Sequence, residues 1–272
     1  MQAKLQLRVQ RYGWDKACAD YESYWGKQIA PAQQRMLGMA DLQPGERVLD
    51  IACGTGLITF PAADAVGTGG TVVGTDISDR MVERSQEEAV RRGLANVTFQ
   101  RADAETMDFA EGSFDAALCA LGLMYVPDPL NAFRQAYRVL KPGGRMAVAV
   151  WGQRERCGWA EIFPIVDSRV KSDVCPMFFQ LGTGENLRAV MEMAGFTDVG
   201  VERLAVPLDY ASAGDAIGAA FVGGPVAMAY SRFDEVMKAE AHAAYLESIE
   251  SYRSGEGYSV PGEFVVAVGS KR

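Results

Sequence analysis

The stretch from Arg47 to Gly56, Arg-Val-Leu-Asp-Ile-Ala-Cys-Gly-Thr-Gly, limits what this chain can fold into more than any other. Val48, Leu49 and Ile51 predict a short apolar strand, Gly54 and Gly56 a turn, and an apolar helix is expected from about Leu57. Glycine has no Cβ, so a backbone turning there can take left-handed dihedrals and let a ligand press against it. The helix beyond points its unpaired N–H groups and the positive end of its dipole at the same place. Asp76 ends a second apolar run that begins at Thr71. In dinucleotide-binding βαβ units an acid about 20 residues beyond the glycines accepts hydrogen bonds from ribose hydroxyls. The opening of the domain therefore reads as a nucleoside-binding crevice, against the plainer reading of a strand, turn and helix with no ligand.

The same residues discriminate between nucleosides. Thr59 stands where G-x-G-x-x-G has its third glycine, and the acid Asp50 sits at the end of the first strand. A carboxylate so close serves a pyrophosphate poorly, and serves a ligand carrying an ammonium and a sulfonium well. The stretch resembles motif I of the class I S-adenosylmethionine-dependent methyltransferases, acid-x-G-x-G-x-G in outline, with Ala52 in place of the first glycine. That change adds only a methyl, and binding is expected to survive it with slightly tighter packing. Phe114 to Trp151 resembles motifs II and III of the ubiquinone/menaquinone-biosynthesis-like, small-molecule branch of the same family. Where members of that branch often have histidines, this chain has Met124 and Tyr125, which removes a ready-made imidazole base.

The resemblance implies an α/β fold: a Rossmann-like, seven-stranded mixed sheet flanked by helices, its last strand antiparallel. It covers about residues 40 to 200 and the final strand. Four segments are expected: a helical lid over 1–43, a cofactor-binding core over 44–204, a helical cap over 205–262, and the last core strand over 263–272. The insertion between the last two strands is far longer than a hairpin needs, and such insertions are usually functional or form a small packed cap.

The resemblance also implies where S-adenosylmethionine sits. Asp50, Ala52, Gly54, Thr55 and Gly56 form the glycine turn, Asp76 faces the ribose with Ile77 beside it in the cofactor site, and Met81 covers the adenine. Asp103 and Ala104, directly after a third strand, match the segment whose acid accepts the adenine amino group. The bland alternative for Asp103 is an aspartate bonding its own turn. Cys119 and Ala120, at the end of the fourth strand, lie beside the cofactor, Cys119 as a small buried residue rather than a nucleophile. Tyr21, Tyr24 and Trp25 fall at helical spacing, so one helix face carries a ring cluster. It either packs on the core or, in the lid reading, excludes water and lies against the sulfonium, with Tyr21 and Trp25 as the candidate rings.

Methyl transfer from a sulfonium needs alignment and exclusion of water, and a base only where the acceptor is still protonated. Tyr125 is a weak candidate for that role. The sole histidine, His242, sits in an alanine-rich run of the cap, where packing or surface is the more ordinary role. The aromatic, weakly charged cap favours a small apolar or aromatic acceptor, with oxygen, nitrogen or carbon as the methylated atom. Two rivals remain: a protein that binds S-adenosylmethionine without transferring the methyl, and a nicotinamide-dependent oxidoreductase, which the missing glycine disfavours.

A formal charge of −8 over 272 residues gives no general attraction to nucleic acid or anionic membrane. No apolar run approaches the roughly 20 residues of a membrane span. Met1 to Arg8 lacks the apolar core of a signal peptide. The five cysteines (Cys18, Cys53, Cys119, Cys157, Cys175) form no C-x-x-C pair, so no metal site is expected. Scattered thiols fit a reducing, cytoplasmic setting. The expected partner is a small-molecule acceptor, the chain acting as a monomer or homodimer.

Overall fold

The computed structural model describes residues 3–170 and 178–272, so Cys175 lies outside the described residues. Two helices come first, α1 (Ala3–Ala17) and α2 (Tyr21–Ala40). The alternating part follows as β1 (Arg47–Ile51), α3 (Thr59–Val66), β2 (Thr71–Asp76), α4 (Asp79–Arg92), β3 (Val97–Arg101), β4 (Phe114–Ala120), α5 (Pro129–Val139) and β5 (Leu140–Trp151). After α6 (Ile162–Asp167) and α7 (Asn186–Met193) come β6 (Thr197–Tyr210) and the inserted helices α8 (Ala213–Ile217), α9 (Ala227–Tyr230) and α10 (Glu235–Ser248). A two-residue β7 (Arg253–Ser254) precedes β8 (Gly257–Ser270).

The sheet order is β3-β2-β1-β4-β5-β8-β6, with β7 paired to β8. β1 to β5 are parallel, and β8 runs antiparallel between β5 and β6. The strands of the parallel half are buried on both faces where they are central, as β1 and β4 are, which is why they read as unbroken apolar runs. Strand order reverses between β1 and β4. In open α/β sheets the crevice outside the carboxyl ends at such a switch point is where ligands bind.

Local chemistry sets the helix ends around that crevice. The Ser78 hydroxyl accepts the Met81 N–H at 3.1 Å to start α4, and Gly93, at φ +69°, ends it in a left-handed cap. Asp128 accepts the Asn131 N–H at 3.0 Å with Pro129 in the first helical position of α5. The glycine-turn helix begins at Thr59, two residues later than expected.

The last two strands are longer than the sequence suggests. Their ladder runs from Thr197 opposite Ser270 to Tyr210 opposite Tyr258, past residue 204 on one arm and before residue 263 on the other. Pro207 and Pro261 look like strand breakers, yet they face each other in register. A pair that does not exchange N–H bonds is the one place in an antiparallel ladder where two prolines forfeit nothing. The β5 ladder has already stopped at Phe264, so Pro261 owes no bond on that side either. Among the described residues, no helix is long and apolar enough to cross a membrane.

Candidate functional site

A cleft of about 730 Å³, counted to its mouth, lies at the carboxyl ends of β1, β2 and β4. Ala52 and Gly54 line it from the turn after β1, Asp76 and Ile77 from the end of β2, and Met81 from the first turn of α4. Asp103 and Ala104 enter from the segment after β3, Ala120 from the end of β4, and Leu121, Gly122 and Tyr125 from the segment after it. Leu7, Gln10 and Trp14 of α1 and Tyr21 of α2 close it from above.

Asp76 is held by backbone donors. Gly54 N–H donates to one of its carboxylate oxygens and Ser78 N–H to the other, each at 2.9 Å. A carboxylate accepts about four hydrogen bonds, so two acceptor positions stay available to a ligand. Gly54 takes φ +55°, and no atom lies within 4 Å of where a Cβ would stand, so a ligand can approach its backbone directly. Gly56, at φ +92°, does something different: the Phe60 ring fills the space its Cβ would take. Gly56 shapes the turn and does not line the cleft. Thr55 is buried, its hydroxyl unpartnered among the described residues, and it is likewise absent from the cleft wall.

Asp50 does not reach the main cleft. It lines a recess of about 280 Å³ alongside, with Gln33, Tyr21 and Gly54. Its carboxylate accepts the Thr59 hydroxyl at 2.6 Å. Burial pushes Asp50 up to about 7 against that hydrogen bond, and pushes Asp76 up to about 6 against its backbone donors Ser78 and Gly54. One Asp103 oxygen accepts the Glu105 N–H at 2.9 Å, the turn-forming alternative, and the residue also lines the cleft. Among the described residues, three acids and no lysine or arginine thus line the cleft and its recess. Such a lining attracts a cationic ligand and repels a pyrophosphate.

Alternation along β4 separates two expected neighbours. Ala120 lines the cleft, while Cys119 points to the opposite face, fully buried, with its thiol pushed up to about 12 by desolvation. It is inert packing. Trp25 is also absent from the cleft wall. It lines a second chamber of about 320 Å³, which shares Trp14, Tyr21, Leu121 and Tyr125 with the cleft and continues past Met124 to Trp151 and Trp159. Gly224 and Pro225 of the insertion complete it. The Trp25 ring meets those of Trp151 and Trp159 edge-on, each at 5.7 Å. His242 lines neither space: its ring nitrogen is 3.0 Å from the Tyr230 hydroxyl and its ring packs on Phe221.

The sequence reading puts the lid in 1–43 but names only rings of α2: Tyr21 does line the cleft, joined by Leu7, Gln10 and Trp14 of α1, while much of α2 packs along β5 and β8. α1 is pinned at both ends of its crossing. Arg11 pairs with Asp79, Asp15 accepts the Ser78 hydroxyl at 2.6 Å, and Gln6 donates to the Tyr125 carbonyl at 3.4 Å. These partners lie far off in sequence and leave no local signal. Leu121 and Gly122 were legible only as part of the segment following β4.

Comparisons with known proteins agree with this geometry. Residues 42–170 match the family model described as a methyltransferase domain. Aklanonic acid methyltransferase of Streptomyces sp. (strain C5) is 37% identical over 134 residues, which are 49% of this chain and 61% of that one. The ubiquinone/menaquinone biosynthesis C-methyltransferase of Ectopseudomonas mendocina (strain ymp) is 44% identical over 111 residues, 40% of this chain and 43% of that one. The chain spans about half the length of the curated relatives it matches. The YcgJ protein of Bacillus subtilis shares the fold with a TM-score of 0.62 at 20% identity, over 89% of this chain and 99% of that one. Residues 42–170, which carry most of the cleft wall, are thus similar to methyltransferase domains.

Proposed function

We propose that this protein moves a methyl group from S-adenosylmethionine to a small apolar or aromatic acceptor and releases S-adenosylhomocysteine. The observation that carries the reading is the lining of the cleft: acids at the ends of β1 and β2 and after β3, no basic side chain, and a bare glycine backbone between them. A nucleoside with two positive charges fits that lining, whereas a nicotinamide dinucleotide would set its pyrophosphate against Asp50 and Asp76. Asp76 would hold the ribose diol with its two spare acceptor positions. Ile77, Met81 and Ala104 would take the adenine, and Asp103 its amino group. Asp50 would face the ammonium end from its recess beside Gly54.

The bound cofactor supplies an electrophilic methyl on a cationic sulfur. The chain supplies position and dryness. Tyr21, Trp14 and Tyr125 stand between cleft and chamber, so their rings would flank the sulfonium, where a cation gains from a π face and water is kept out. Alignment of nucleophile and methyl contributes up to roughly 7–11 kcal/mol in model systems. Among the described residues no carboxylate or imidazole lines the chamber, and burial drives the Tyr21 phenol upward, away from use as a base. The reading therefore rests on proximity and desolvation, with an acceptor that arrives ionised or loses its proton to water. α1 acts as the lid and the insertion as the cap of this arrangement. Aromatic, water-excluding walls beside the methyl position favour transfer over a protein that only binds the cofactor.

Calorimetric titration with S-adenosylmethionine and S-adenosylhomocysteine tests the first half. Micromolar binding is expected, and Asp76→Ala should weaken it at least tenfold, since hydrogen bonds to a charged group carry about 1.5–3 kcal/mol. A folded wild-type protein that binds neither compound refutes the reading. Release of S-adenosylhomocysteine in a screen of small acceptors tests the second half, and its absence across the screen supports the binding-only alternative.

A further inference from the structure

Gln10 of α1 is 7% exposed and lines the cleft, and its side-chain amide bonds to no other group among the described residues. The amide is not sealed inside the wall, so the exposure it keeps is to the space of the cleft. Helix spacing agrees: Leu7, Gln10 and Trp14 fall at i, i+3 and i+7, on one face, and all three line the cleft. Gln6, one turn earlier, spends its nitrogen on the Tyr125 carbonyl at 3.4 Å. Gln10 makes no such bond, and an amide turned into a cleft with its donors and acceptor unspent is available to whatever the cleft holds.

Its place decides which part of a ligand it meets. Arg11 pairs with Asp79 and Asp15 accepts the Ser78 hydroxyl at 2.6 Å, which sets this part of α1 over the start of α4, just beyond Asp76 and Ile77. Trp14, Tyr21 and Tyr125 border the chamber as well as the cleft, and Ala52 and Gly54 border the recess. Gln10 borders neither; like Ile77, Met81, Asp103 and Ala104, it lines the cleft alone. That is the end assigned above to the base. Ionised Asp76 and Asp103 only accept, which suits ribose hydroxyls and an adenine amino group and leaves the ring nitrogens of adenine in need of a donor. Thr75 spends its hydroxyl on the Asp50 carbonyl at 3.4 Å. The Gln10 amide nitrogen is free to donate.

We propose that Gln10 is the base-reading residue of the lid: its amide nitrogen donates to a ring nitrogen of the bound adenine while Asp103 accepts from the amino group. The assignment rests on the cofactor reading above. One side chain from α1 and one from the segment after β3 then make a donor–acceptor pair that matches adenine. The pair mismatches hypoxanthine, whose ring oxygen would face the Asp103 carboxylate in place of the amino group. The same bond ties α1 to its ligand, so the cover is held more firmly over an occupied cleft than over an empty one.

The test titrates S-adenosylhomocysteine and its 1-deaza, 3-deaza and 7-deaza forms, each with one ring nitrogen replaced by C–H, into the full chain. Wild type is compared with Gln10→Met, which keeps the length of the side chain and loses the amide. The variant should weaken S-adenosylhomocysteine by about 2- to 12-fold, the range of one net hydrogen bond. One deaza form should bind both proteins equally, having already lost that bond. The melting temperature without ligand should not fall, because the amide has no bond there to lose. Should Gln10→Met fail to fold, Gln10→Ala carries the same comparison. Equal weakening of all four ligands, with a lower melting temperature, marks a packing role and overturns the assignment, as does no weakening of any. Failure of S-adenosylhomocysteine to bind folded wild type overturns the cofactor reading beneath it.

Discussion

Replacing Gly122 by alanine gives the sharpest test of how the cleft is packed. Gly122 has φ −102° and ψ −43°, which any residue adopts, so an added methyl pays nothing in the backbone and everything in space. Its Cβ would stand under 3.0 Å from the Cβ of Ala52 and at 3.0 Å from the Cys119 sulfur. The Ala52 methyl cannot swing aside, because it is fixed to a backbone at φ +55° whose next residue donates to the Thr75 carbonyl at 2.9 Å. Gly122 is tied down as well, its carbonyl accepting the Tyr125 N–H at 3.1 Å. Overpacking between two immobile groups should cost about 2–3 kcal/mol, the upper part of the usual range. Ala52→Gly alone should be neutral to about 1 kcal/mol stabilising: it relieves roughly 1–2 kcal/mol of left-handed strain and adds about 0.5–1 kcal/mol of chain entropy to the unfolded state. With Ala52 already glycine, Gly122→Ala meets only the Cys119 sulfur and should cost about 1 kcal/mol. The double-mutant cycle, measured by urea unfolding at constant slope, should therefore show roughly 1–2 kcal/mol of coupling. Additivity within about 0.5 kcal/mol would refute the idea that the alanine at position 52 and the glycine at position 122 are one packing unit.

Two further expectations concern charge and the cap. Folded Asp50 and Asp76 are raised to about 7 and about 6, above the ordinary carboxyl value near 4 that each has when unfolded, so folding takes up protons between about pH 4 and 7. The stability of ligand-free protein should fall as pH rises through that window and level off above it, whereas a cationic ligand, favouring both carboxylates, should bind more tightly as pH rises. Melting temperatures of wild type and Asp50→Asn across the window check this, and parallel profiles would count against it. His242→Ala should cost about 1 kcal/mol of stability through the lost bond to Tyr230 and leave turnover unchanged, and an abrupt loss of turnover with cofactor binding intact would place the imidazole in the chemistry.

Much of the sheet was legible because its signals are local. Val48, Leu49 and Ile51 are apolar on both sides of a strand, Ser78 and Gly93 bracket a helix, and Gly54 and Asp76 sit at a spacing set by one βαβ unit. Residue-by-residue placement in the cleft was less legible. The period of two along β4 turns Cys119 away from the residue that follows it, and the turn after β1 turns Thr55 and Gly56 away from Gly54, details a motif pattern does not carry. The covering segment was legible as a lid over 1–43, but its contacts were not. Asp15 reaches Ser78 across 63 positions, and nothing in the composition of α1 announces which face meets a ligand. Pro207 and Pro261 would each break a strand alone, and only their pairing across β6 and β8 shows that neither does.

The chain has four tryptophans, and all of them, Trp14, Trp25, Trp151 and Trp159, border one chamber. The ultraviolet emission of the whole protein, excited at the red edge where tyrosine no longer absorbs, is thus a signal from that space alone. Three of the indoles have centroids 4.8–5.7 Å apart, close enough for excitation to hop among them, so a quenching molecule seated beside one darkens its neighbours too. Without any label, the protein carries an optical gauge of what stands next to its cleft, free of background from a distant residue.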